Sequence, residues 1–166
     1  MILPAGAPGP DAMPRGGRSH DESGLALGRR KIGKQMDDVK REIADLLKAA
    51  ESAARSGARA ETMADLLYDE ALVAVVEGVE GATRGVHEFI PRLSATLESW
   101  GPRPEVSLEL CDPLVFSGAV AVGFVNATIR PDQPNAEVQR LRAMLAFRRG
   151  PRGWRLLLEM YALGVI

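Results

Sequence analysis

Residues 57–78 read Gly-Ala-Arg-Ala-Glu-Thr-Met-Ala-Asp-Leu-Leu-Tyr-Asp-Glu-Ala-Leu-Val-Ala-Val-Val-Glu-Gly, and Arg84-Gly85 then opens a second apolar-periodic run. Ala58 to Leu67 has the character of a short helix and Tyr68-Asp69-Glu70 that of an acidic turn. Ala71 to Glu77 is apolar and β-branched, which suits a strand. The chain therefore passes from helix to strand and back to helix within a few turns.

Upstream of this stretch, Met36, Val39, Ile43, Leu46, Leu47, Ala50 and Ala53 recur on one face of a long helix. Asp37 and Asp38 suit the positive end of its dipole, and Gly57 is placed to stop it. Downstream, Phe89, Ile90, Leu93, Leu97 and Trp100 predict a third helix over Val86 to Trp100, starting late or kinked at Pro91. The pattern then alternates. Strands are expected over Glu105–Cys111, Leu114–Arg130, Val138–Arg149 and Arg152–Leu163, punctuated at Asp112-Pro113, residues 131–135 and Gly150-Pro151. Helices followed by an antiparallel meander make the fold class α+β.

The rest of the composition narrows the function. Apolar residues make up 46% of the 166, enough for one globular domain with its own core. A net charge of −1 argues against nucleic acid as a partner. Cys111 has no second cysteine to pair with, and with His20 and His87 far apart in sequence no metal-ligand cluster is expected. Cys111 reads instead as a small buried hydrophobe and His87 as a helix-start surface residue. The glycines of 78–85 lack the lysine of a phosphate loop, so no nucleotide cofactor is implied. Apolar runs are too short to cross a membrane, and no signal-peptide pattern stands in the first 35 residues, so a cytoplasmic location is expected.

Residues 1–35 differ from the remainder. Pro4, Pro8, Pro10 and Pro14 stand among many glycines, which predicts a flexible leader of residues 1–35 ahead of a domain over 36–166. Its Arg15, Arg18, Arg29, Arg30, Lys31 and Lys34 outnumber Asp11, Asp21 and Glu22, so the leader is basic and the body acidic. A second reading makes residues 1–35 an upstream extension and Met36 the expected start.

Across residues 36–166 the chain resembles the nuclear transport factor 2-like superfamily, which includes ketosteroid isomerases and SnoaL-like polyketide cyclases. The matching features are the glycine, short helix and Tyr68-Asp69-Glu70-Ala71 of 57–71, Arg84-Gly85 before the third helix, and Phe147 with Gly153-Trp154-Arg155 at the last hairpin. The resemblance implies a cone-shaped half-open barrel, a curved and mostly antiparallel sheet wrapped around the long first helix with two shorter helices. It also implies a cavity inside the cone, and a homodimer through the outer sheet face.

If strand parity carries over from the isomerases, Val73, Val75, Glu77, Val120, Val122, Phe124, Asn126, Leu141, Ala143, Leu145, Leu157, Glu159 and Tyr161 face inward, with Tyr68 pointing in from the second helix. Val75, Leu93, Val122, Phe124, Asn126, Ala143, Leu145 and Leu157 would then contact a ligand. The isomerases' carboxylates would fall near Val75 and Ala143 and their tyrosine near Ala50, none of which moves protons here. What remains is Glu159, whose apolar surroundings would raise its pKa toward the range of a general base, with Glu77 as a second carboxylate. Tyr68 and Tyr161 would serve as hydrogen-bond donors to a developing oxyanion. Glu159 could equally face outward and pair with Arg155 or Arg142. Three functions stay open on this reading: a metal-free isomerase, cyclase or dehydratase acting on a small apolar molecule, a non-catalytic binder of such a molecule, or a dimeric association module.

Overall fold

A computed structural model describes residues 22–76 and 80–163 of the chain, with side chains described for 33–76 and 80–161. Residues 1–21 of the expected leader, and Glu77, lie outside the described residues. In chain order the elements are α1 (Glu22–Arg55), α2 (Ala60–Leu67), β1 (Tyr68–Val76), β2 (Ala82–Arg84), α3 (Val86–Trp100), β3 (Glu105–Ser117), β4 (Val120–Arg130), β5 (Gln139–Gly150) and β6 (Gly153–Leu163). The fold class is α+β. One open six-stranded sheet runs β2-β1-β6-β5-β4-β3, antiparallel throughout except where β1 lies parallel to β6.

Helix α1 extends upstream of the expected start at Met36, reaching back to Glu22. Val39, Ile43, Leu47, Ala50 and Ala54 are its buried stripe, at the spacing that keeps one face toward the sheet. The same helix covers β3, an edge strand whose free backbone groups would otherwise be exposed. Glu51 Oε1 accepts from the Leu108 amide at 2.6 Å, and Arg55 Nη2 donates to the Val106 carbonyl at 3.1 Å. Two side chains thus do for this edge what another strand would do.

Helix α3 begins at Val86, so Pro91 neither delays nor splits it. Proline is accommodated in the second turn because it removes a single amide from the ladder near the helix start. Glu88 Oε2 accepts from the Arg84 amide at 3.1 Å and places negative charge at the amino end of the dipole.

Asp112-Pro113 does not end a strand. It forms an irregularity within β3, where the register to β4 shifts between Cys111 and Val115, and the chain turns instead at Gly118-Ala119. Leu114 consequently reaches the inner face beside Gly123, whose missing Cβ would stand 2.9 Å from Leu114 Cδ1. The core centres on Phe147, Ile43, Leu72 and Leu156, and Phe116 meets the Trp154 ring edge-on at 6.4 Å. Among the described residues no helix is long and apolar enough to cross a membrane.

Candidate functional site

Between α3 and the inner face of the sheet lies a cavity of about 580 Å³. Rows of paired residues form its sheet wall. Val125, Ala143, Tyr161 and Val76 stand in one row across β4, β5, β6 and β1; Gly123, Leu145, Glu159 and Ala74 stand in the next. Helix α1 supplies Leu47, Ala50 and Ala54, and α2 supplies Met63 and Leu67. The lining residues that are also exposed, Ser99 and Gln139, mark the mouth. Trp100 Nε1 donates to Gln139 Oε1 at 3.3 Å across one side of it.

Glu159 is the one buried charged residue among those described, 7% exposed, and it faces the cavity. Burial disfavours its ionised form and pushes its pKa from an ordinary 4.5 up to about 7. Two neighbours oppose that shift: the Tyr68 hydroxyl, donating toward the carboxyl, and more weakly the positive charge of Arg92. Tyr68 stands at the head of β1, its ring tilted against Phe89 at 5.0 Å. Burial and the adjacent carboxylate hold its own ionisation well above the ordinary range, so it stays a neutral donor. Tyr161 is raised by the same two causes in the same order, offset by the charge and hydrogen bond of Arg92. A carboxyl group titrating near neutrality, two phenols and a guanidinium therefore stand in a largely apolar wall. Among the described residues no three His, Cys, Asp or Glu side chains converge as a metal site would require.

Solved structures share this architecture. A nuclear transport factor 2-like superfamily protein from Salmonella enterica serovar Typhimurium superposes with a TM-score of 0.62 at 17% identity, over 78% of this chain and 94% of that one. A Streptomyces avermitilis protein of the same family, provisionally named a dehydratase, gives 0.59 at 18% identity over 79% and 99%. A nuclear transport factor 2-like protein with a cystatin-like fold from Novosphingobium aromaticivorans gives 0.58 at 20% identity over 87% and 91%. The chain has the nuclear transport factor 2-like fold. No family model and no curated protein matches the sequence itself.

Within this nuclear transport factor 2-like cone the expected residues divide. Glu159, Tyr68, Tyr161, Leu93, Leu141, Ala143 and Leu145 line the cavity. Val75 and Val73 do not: Leu72, Ala74 and Val76 are the buried set of β1. Val120, Val122, Phe124 and Asn126 lie on the outer face of β4, whose inner face carries Ala121, Gly123, Val125, Ala127 and Ile129. At Gly123 the inner face is crowded by Leu114, whose Cδ1 would stand 2.9 Å from a Cβ there. Leu157 is also outside the cavity, because it is the extra residue of a bulge opposite Ala146 and Phe147, and Leu156 lines the wall instead. Glu77 lies outside the described residues.

Glu159 makes no pair with Arg155 or Arg142. Arg142 lies over the Phe124 ring at 5.5 Å on the outer face, and Arg155 donates to the Trp154 carbonyl at 2.9 Å. Arg92 is the charged cavity residue that reading the sequence missed. A signal for it exists: Arg92, Thr96 and Ser99 form a polar stripe on α3 beside the apolar stripe of Phe89, Leu93 and Trp100, and both stripes line the cavity.

Proposed function

We propose that the cavity binds a small, largely apolar molecule and that Glu159 transfers a proton on it, in chemistry of the isomerase, cyclase or dehydratase kind. The observation carrying this reading is the convergence of Glu159 with the Tyr68 hydroxyl in an open apolar cavity. In the simplest step Glu159 takes a proton from the carbon beside a carbonyl. The C–H electron pair moves into the new C=C bond, and the carbonyl oxygen gains negative charge. Tyr68, kept neutral by its surroundings, donates to that oxygen. A carboxyl group titrating near 7 can both accept the proton and return it to another carbon. The dehydratase name of the Streptomyces avermitilis protein is compatible with chemistry of this kind.

The test is deuterium exchange beside the carbonyl of propiophenone in D2O, followed by NMR. Wild-type protein should accelerate exchange, and Glu159→Gln should lose about a hundredfold of that acceleration. Equal acceleration by the variant removes Glu159 from the role.

A second reading concerns the outer sheet face and is supported by its composition. Phe124, Met144, Met160 and Val75 stand in register across four strands, with Phe124 and Met160 each 43% exposed. An apolar row of this length favours a second copy of the chain packing against it. Homodimerisation through this face, in the cytoplasm, belongs to the same proposal.

A further inference from the structure

The cavity wall holds one cation, Arg92, and one carboxyl group, Glu159, and the rest of its described lining is apolar or neutral. The two are not a matched pair. Glu159 sits deep and is pushed toward its neutral form, whereas a guanidinium keeps its proton under all ordinary conditions. Arg92 is half-buried on α3, and among the described residues it makes no ion pair; Lys40, Arg41, Arg55, Arg130, Arg148, Arg149 and Arg152 make those. The Tyr161 hydroxyl, which feels the Arg92 charge, lines the same space as a second donor. A partly desolvated cation beside apolar surface is unfavourable until an anion reaches it. The molecule that satisfies it without losing the apolar contacts has a greasy body and one ionised oxygen group.

We infer that the natural ligand of this cavity is an amphipathic carboxylic acid, its carboxylate held by Arg92 with Tyr161 beside it and its apolar body against Leu93, Ala143 and Leu145. The inference rests on the proposed function for the apolar occupant, but not on Glu159 acting as a base. Arg92 is then the residue that sets specificity. Lysine supplies the charge without the planar fork, so it should substitute incompletely.

The experiment is calorimetric titration at pH 6, where Glu159 is mostly protonated and the ligand acid ionised, with 4-phenylbutyrate and with the matched neutral alcohol, 4-phenylbutan-1-ol. Wild-type protein should bind the acid about tenfold more tightly, the scale of one charge-assisted hydrogen bond. Arg92→Met should abolish that preference by weakening the acid far more than the alcohol, and Arg92→Lys should keep part of it. Equal binding of acid and alcohol by wild-type protein, or a preference that survives in Arg92→Met, overturns the inference. Glu159→Gln separates the two readings: loss of deuterium exchange with the acid preference intact supports both. A protein that binds neither compound ends the cavity reading and this one with it.

Discussion

Leu156 and Glu159 both face the cavity from β6, although their odd spacing would put them on opposite faces of a regular strand. The bulge at Leu157 absorbs the difference, since Phe147 pairs with Leu156 and Ala146 with Leu158. One unpaired residue thus buries a carboxylate between Leu145 and Ala74 while keeping Leu156 in the core beneath it.

That placement makes stability depend on pH. The fold holds the Glu159 proton more tightly than an unfolded chain does, so its contribution is complete below pH 4.5 and is lost as pH rises through 4.5 toward about 7. The loss amounts to roughly 3 kcal/mol above neutrality. Glu159→Gln escapes it and should melt above wild type at pH 8, with the gap closing near pH 4. Thermal melts across that range check the prediction; a variant that melts lower at pH 8 would show that the carboxylate is not held against its preference.

Tyr68 should act on the same group from outside. It lowers the Glu159 pKa, so Tyr68→Phe should move the carboxyl titration to higher pH, read by carbon NMR of labelled glutamate. Loss of the donor should also slow exchange at the ketone by about a hundredfold. An unmoved titration would separate the two side chains.

Gly101 ends α3 with φ at 81°, and a Cβ there would meet the Asp132 carbonyl oxygen at 2.6 Å. The Asp132 amide donates to the Trp100 carbonyl at 2.7 Å, so this contact docks the β4–β5 connection on the helix beside the mouth. Gly101→Ala should cost about 2–3 kcal/mol in urea unfolding through steric clash and backbone strain. An unchanged midpoint would mean that the connection gives way freely.

On the convex face, Met160→Glu should place charge in the middle of the apolar row and leave the cavity untouched. Sedimentation should show wild-type dimer and variant monomer, with 4-phenylbutyrate binding retained in both. A monomeric wild type, or a variant that still pairs, rejects this face as the interface.

Much of the fold was legible in the residues. Apolar spacing and the glycines at 85 and 101 bound α3 at Val86 and Trp100, and α2 ends at Leu67 as its pattern indicates. β2 went unread because a strand of this length, Ala82–Arg84, has too few residues to show a period. Asp112-Pro113 carries the residues of a turn, yet β3 continues through it because pairing with β4 resumes at Val115. Glu159, Tyr68 and Tyr161 were identified as cavity residues, while Arg92 was hidden among the charges of an amphipathic helix.

The sequence by itself determined what is local: where helices run, where strands alternate, and that a lone acid stands in the last apolar strand. Only the tertiary structure decided which side of each strand looks inward. Both faces of β4 carry apolar residues, so alternation carries no sign; packing against Leu114 and Leu110 of β3 at Gly123 turned Ala121, Gly123, Val125, Ala127 and Ile129 to the interior. The bulge in β6 reset parity once more, and with it the position of Glu159. Parity depends on what packs against a strand, and that partner is distant in sequence.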